Sequence, residues 1–324
     1  MTFAARVDPD LEPRAIRSAV SRIHPSFAGS PHYLHEGLSA RAGIPIVLKV
    51  ECVNAIRAFK GRGTWLAVDG LVGEGRAGPG RPLVCASTGN FGQGVAFAGR
   101  AFGVPVIVYA DEHANSLKVG RIEALGAEVV RTGQDFDAAR VAAERHATAH
   151  GATLLVDGED PRIAAGAATL AVEVTDAVAA DRLPAIGSAY IPVGNGALVV
   201  GVGAWLRHAA PACRVIGVQS EAAPSMTLSW RAGHPIETAS AATSAEGIAT
   251  RVPVPQALEM MVGRVDDMVL VTESAIEAAR RELTSALGIT VEGAAAAAWA
   301  GLLEDPERRG PALLIVTGSN VVES

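Results

Sequence analysis

A lysine set between an aromatic ring and a glycine is the first residue here whose surroundings suit chemistry: Ala58-Phe59-Lys60-Gly61-Arg62-Gly63 follows the run Leu48-Lys49-Val50. A partly apolar setting lets an ammonium give up its proton more easily, and imine formation requires the free amine. Taken alone, the segment also fits an ordinary surface lysine beside a lone phenylalanine. Further along, Ala86-Ser87-Thr88-Gly89-Asn90 runs into Gly92-Gln93-Gly94. Hydroxyls, a carboxamide and the free N–H groups of a starting helix suit a carboxylate. Ser, Thr and Asn are equally good plain N-caps. A third turn, Gly194-Asn195-Gly196-Ala197-Leu198, is a candidate phosphate cradle, because glycines let the backbone approach an anion with several N–H groups. Its glycines do not fit G-x-G-x-x-G and no acidic residue stands where a ribose partner should, which argues against a dinucleotide. Last, Val316-Thr317-Gly318-Ser319-Asn320 places a hydroxyl where an apolar run ends, facing either a ligand or a routine turn.

These four segments need a scaffold that brings them together. Short β-branched runs at 44–50, 82–87, 104–109, 128–131, 153–156, 189–193, 215–219, 268–271 and 312–317 read as strands. Ala-rich amphipathic stretches at 61–68, 91–102, 116–125, 136–148, 161–178, 198–208, 274–287 and 291–303 read as helices. Alternation of this kind predicts an α/β fold with parallel sheets flanked by helices. So many strands favour two sheets in two lobes over one open sheet. Ligands in such folds collect beyond the carboxyl ends of the strands, which is where all four segments fall. The polar or Gly/Pro/Ser/Thr-rich stretches 73–81 and 233–246 read as loops, and the second is long enough to suspect a function.

With 324 residues, 49% of them hydrophobic, the chain can bury a large core, and with only 4% aromatics Ala, Val, Leu and Ile must build it. A net charge of -6 argues against a nucleic-acid partner. Cys52, Cys85 and Cys213 lie far apart without metal-ligand spacing and read as buried thiols of a reducing compartment. Residues 1–19 mix charges and prolines without an apolar core, so no signal peptide is expected. No apolar run reaches membrane-spanning length, so no membrane partner is expected, and the cysteine usage makes the cytoplasm the expected setting.

Together and in this order the segments resemble the fold type II pyridoxal-phosphate enzymes (tryptophan synthase β-like), and within them the serine/threonine dehydratases and serine racemases. The resemblance runs from Ser30-Pro31 to Asn320. It implies a pyridoxal 5'-phosphate cofactor held by Lys60 as its Schiff-base lysine, with Phe59 beside the ring. Asn90 then faces the ring's phenolic oxygen, Gly194, Asn195, Gly196, Ala197 and Leu198 bind the phosphate, and Thr317 faces the pyridine nitrogen. Ser87, Thr88, Gly89 and Asn90 grip the substrate carboxylate. Glu246-Gly247-Ile248-Ala249 and Glu292-Gly293-Ala294-Ala295-Ala296 also match family stretches near the site. The implied activity is a lyase that removes the β-hydroxyl of a serine- or threonine-like amino acid to give a 2-oxo acid and ammonia. The resemblance further implies a large cofactor-binding domain of residues 1–78 and 156–324, a small domain of residues 79–155, and a homodimer.

The chain departs from the pattern in several places. Ala58 stands where a serine is frequent, and Phe91 replaces a frequent histidine, an apolar wall that could change which β-substituent fits. Arg57, where small residues are common, is either a solvated loop charge or a group reaching an acidic substrate. Thr88 stands where racemases carry a serine, which keeps racemisation as an alternative. Asn195 in the phosphate turn resembles the threonine synthases, so β-replacement is a second alternative. Gln219 and Ser225 fall where some relatives place divalent-ion ligands, so no metal site is expected.

Overall fold

The computed structural model describes residues 3–321, so the outermost residues of the expected large domain, 1–2 and 322–324, lie outside the described residues. The chain opens with α1 (Pro13–Ala19), β1 (His32–Leu34), α2 (Glu36–Ala42), β2 (Ile46–Val50) and α3 (Lys60–Gly73). Then come β3 (Leu83–Ala86), α4 (Asn90–Phe102), β4 (Val106–Ala110), α5 (Ser116–Ala124), β5 (Glu128–Arg131), α6 (Phe136–His150) and β6 (Thr153–Leu154). The return half holds α7 (Pro161–Ala179), β7 (Ser188–Pro192), α8 (Ala197–Ala209), β8 (Arg214–Ser220), α9 (Ser225–Ala232) and α10 (Pro255–Met261). It closes with β9 (Asp267–Val271), α11 (Glu273–Leu287), α12 (Gly293–Glu304) and β10 (Ala312–Val316).

The strands form two sheets, one in each lobe. The six-stranded sheet runs β1-β2-β10-β7-β8-β9, parallel except for the antiparallel edge strand β1, and the four-stranded sheet runs β5-β4-β3-β6, all parallel. Strands β2, β7 and β10 are buried at every position, as a parallel sheet covered on both faces demands. α7 packs on α8 and α3 in the largest apolar cluster, while Trp299 and the alanines of α12 fill the opposite face. Small residues allow these close approaches: a Cβ on Gly201 of α8 would come within 2.0 Å of the Ala164 carbonyl on α7.

Five elements escape the sequence pattern. β1 has only three residues and pairs along one edge, and α1 and α2 are single short stretches of seven residues. α9 buries Ser225, Thr227 and Ser229, which disguises its inner face as polar. Those hydroxyls all find acceptors: Ser229 Oγ donates to the Ser225 carbonyl, Thr227 Oγ1 to Gln219 Oε1 on β8, and Ser225 Oγ to the Thr250 carbonyl. α10 lies in a stretch rich in proline and is the fifth. The expected loop at 73–81 begins one residue later, since α3 runs through Gly73.

Candidate active site

Sheet register brings the two ends of the chain side by side. β10 pairs with β2 up to Val316 opposite Val50, the Glu51 N–H donates to the Val316 carbonyl, and the Phe59 N–H donates to the Thr317 carbonyl at 3.0 Å. Lys60, the first residue of α3, therefore emerges next to Thr317. Its Nζ donates to Asp157 Oδ2 at 2.6 Å and lies 4.8 Å from the centre of the Phe59 ring. Asp157 follows the end of β6, and its Oδ1 is buried with no partner among the described residues.

A buried ionic cluster pins the start of α3. Arg62 is fully buried and donates to both oxygens of Glu51 and of Glu173, and to Thr169 and Ser30. Lys49 adds an ion pair to Glu173 and a bond to the Ser30 carbonyl. Burial works against the Arg62 charge, but Glu51 and Glu173 outweigh it and raise the guanidinium above its ordinary value. Burial would likewise raise the Glu173 carboxyl, yet Arg62 and Lys49 hold it below the usual range. Removing one partner of this network would leave the others buried without their counter-charge.

The turn 194–198 leads from β7 into α8, whose first N–H groups have no intrahelical partner. Gly196 adopts φ +95, in the left-handed region, and a Cβ on Gly194 would meet the Gly247 carbonyl at 2.5 Å. Asn195 does not reach out freely: its Oδ1 accepts from Thr250 Oγ1 at 3.3 Å.

On the small-lobe side, Ser87 Oγ accepts from the N–H groups of Gly89 and Gly92, so this hydroxyl caps the entry to α4. The Asn90 carboxamide is oriented from both sides. Its Nδ2 donates to both Glu292 oxygens at 3.0 Å, and its Oδ1 accepts from Asn320 Nδ2 at 2.7 Å. Asn320 is held in turn by Arg121 of α5, whose Nη1 donates to Asn320 Oδ1 at 3.0 Å. Burial raises the Glu292 carboxyl, against hydrogen bonds from Asn90 and the Asn320 N–H that lower it. Across the rim, Lys118 of α5 pairs with Glu246 of the opposite lobe.

A single cavity of about 340 Å³ is lined by Phe59, Lys60, Ser87, Thr88, Gly89, Asn90, the whole 194–198 turn and Thr317. Every site residue expected from the sequence borders it, as do Phe91 and parts of both flanking family stretches. Arg57 does not. It is exposed at φ +53 and borders a separate surface hollow with Cys52, Val53 and Asn54, which removes it as a group reaching the substrate. Gln219 and Ser225 are occupied in packing around α9, Ser225 Oγ donating to the Thr250 carbonyl. Asp157, Lys118, Glu292 and Asn320 also line the cavity, and the sequence pattern assigns them no role. Asp157 does end an apolar run in a parallel fold, a signal that could have found it.

The fit to a phosphorylated pyridine aldehyde can be tested on these atoms. Thr317 Oγ1 is buried with no partner among the described residues, as a hydroxyl waiting for a ring nitrogen would be. The glycine turn offers a helix N-terminus for a phosphate, and Lys60 offers the amine. The fold and these groups fit a pyridoxal-phosphate enzyme, and the chain belongs to the pyridoxal-phosphate dependent enzyme family, whose model matches residues 23–318. Within that family it is 34% identical over 285 residues to the L-threonine ammonia-lyase of Geobacter sulfurreducens, covering 87% of this chain and 69% of the relative. Its fold matches the processed threonine deaminase isoform 2 of Solanum lycopersicum with a TM-score of 0.86 and 28% identity, over 99% of this chain and 88% of the other. A threonine deaminase from T.th. matches with a TM-score of 0.87 and 28% identity, over 97% and 99% respectively.

Proposed function

We propose that this chain is a pyridoxal-phosphate-dependent ammonia-lyase that eliminates the β-hydroxyl of a serine- or threonine-like amino acid, yielding a 2-oxo acid and ammonia. The observation that carries the reading is the convergence of Lys60 Nζ, the unpartnered Thr317 hydroxyl and the 194–198 turn on one cavity. The names of the similar proteins, threonine ammonia-lyase and threonine deaminase, describe the same activity.

When bound, the cofactor supplies an electron sink for charge developing at the substrate α-carbon. Phe59, Lys60, Asn90, residues 194–198 and Thr317 would hold it, and Ser87, Thr88, Gly89 and Asn90 would hold the substrate carboxylate. Lys60 Nζ, once free, takes the α-proton as general base. Asp157, already 2.6 Å from that nitrogen, holds the ammonium so formed. The neutral Thr317 hydroxyl cannot keep a pyridine nitrogen protonated as a carboxylate would, and this weaker sink favours expelling a β-leaving group. Water leaves as Cα–H and Cβ–O break. Water then returns as C–N is hydrolysed, so the net products are the 2-oxo acid and ammonia. The threonine synthase-like reading needs a cationic pocket for a substrate phosphate, and Arg57, its chief support, is away from the cavity.

In the same reading, residues 1–78 and 156–324 form the large cofactor-binding domain and 79–155 the small one, and the enzyme is a cytoplasmic homodimer. No helix among the described residues is long and apolar enough to cross a membrane. The test is a panel of L-serine, L-threonine, 3-hydroxyaspartate and 3-phenylserine, assayed for ammonia, 2-oxo acid and the D-isomer. Ammonia from at least one supports the lyase. Isomer without ammonia would make the protein a racemase, and no turnover of any would overturn the proposal.

A further inference from the structure

A second cavity of about 500 Å³ adjoins the site, and both are lined by Ala86, Phe136, Asp157, Asn195, Ala249 and Thr250. Its walls come from both lobes. Leu154, Leu155 and Ala143 contribute from the small lobe, and Val252, Pro253 and Val254 from the segment leading to α10. Charge lies mostly in paired groups: Arg251 bonds Asp137 across the lobes, and Arg140 bonds Glu144. Asp135 is committed to capping α6, and burial raises the carboxyl of Glu159. Phe136 opens α6, borders both cavities and is 42% exposed despite its size. Phe91, in the site itself, adds a second aromatic wall.

A substrate whose β-carbon bears only hydrogen or a methyl group would leave this apolar space to water, which wastes the walls. An aromatic ring would bury apolar area there and meet Phe136 in a favourable ring pair. Asp157, whose Oδ2 accepts from Lys60 Nζ at 2.6 Å, lines both cavities, so the amine lies beside their shared wall. We propose that the enzyme's preferred substrates are β-hydroxy-amino acids carrying a bulky apolar or aromatic β-substituent, 3-phenylserine being the simplest, with that substituent seated in the adjoining chamber. The inference rests on the lyase reading and names the substrate class of the same site.

The test compares kcat/KM of the cofactor-loaded enzyme for threo-3-phenylserine, L-threonine and L-serine. Phenylserine should be favoured over threonine by roughly 10–100-fold, the discrimination that burying a ring provides. Ala241, a half-buried loop residue, borders only the adjoining chamber, so Ala241→Trp should cut phenylserine kcat/KM about tenfold and leave threonine within twofold. Glu237→Trp, at the exposed rim, gives a second filled variant should the first fold poorly. A non-covalent readout is thermal protection by 3-phenyllactate, which should exceed that by lactate in the wild type and fall to equal it in the filled variants. Preference for threonine or serine, with the filled variants unchanged on phenylserine, would overturn the inference and leave the lyase intact. Turnover of none of the three would instead remove the lyase reading beneath it.

Discussion

The two walls of the cleft are built by different means. The proposed cofactor wall, with Lys60, the 194–198 turn and Thr317, rises from strands buried at every position and from a helix whose first turn is anchored by a fully buried arginine. The proposed substrate wall stands on the capped turn at 87–90 and on bridges that cross between lobes: Lys118 to Glu246, Arg251 to Asp137, Arg121 to Asn320. The partners in the first are buried, whereas Glu246 is 67% exposed. Buried ion networks are costly to break and hold geometry, while exposed pairs contribute little and release readily. A wall that keeps a cofactor should be rigid, and a wall that admits and releases substrate should move. The contrast can be attacked from either side.

The largest effect should come from Lys60→Ala, which removes the amine itself. Turnover should fall by at least ~10³-fold while cofactor still binds non-covalently, measured by steady-state assay and cofactor absorbance. Wild-type activity in this variant would take position 60 out of the chemistry. Next, Arg62→Ala leaves Glu51 and Glu173 buried without their partner. Stability should drop by ~3–5 kcal/mol in denaturant unfolding. An unchanged midpoint would show that the cofactor wall owes nothing to the network. Gly194→Ala pushes a Cβ against the Gly247 carbonyl and should weaken cofactor affinity about tenfold with little loss of fold, read by equilibrium titration. Lys118→Met breaks only a half-exposed bridge of the proposed substrate wall. It should raise KM a few-fold and shift stability by less than ~1 kcal/mol. A loss as large as that of Arg62→Ala would erase the distinction between the walls.

The smallest effect concerns acid. Burial would raise the Glu273 carboxyl, but bonds from Ser220, Thr243 and both donors of Ser244 prevail and hold it at about 2, tying the 233–246 loop to α11. A depressed carboxyl contributes stability that is complete above its ordinary pKa of 4.5 and disappears as pH falls toward about 2. Glu273→Gln should therefore flatten the stability curve between those limits, as seen in thermal unfolding against pH.

Much of this protein was legible in one dimension. Strands that must be buried on both faces are continuous β-branched runs, and a parallel fold requires its ligand groups to follow them. Lys60, the 87–90 turn, the 194–198 turn and Thr317 could therefore be marked as candidates by position, but each also fits a surface lysine, a cap or a routine turn, and the family resemblance supplied their roles. What escaped were elements too short for a period to show, such as β1, and α9, whose buried hydroxyls donate to carbonyls and to Gln219 and look polar in the sequence. Tertiary structure alone decided the pairings. Asp157 meets Lys60 from 97 residues away, Asn90 meets Asn320 across 230, and Arg57, adjacent in sequence to the site, turns away from it. Local pattern reports which face of an element is buried and where a strand ends. Which distant side chains then share a cavity depends on sheet order and on the approach of two lobes, and neither leaves a periodic trace in the chain.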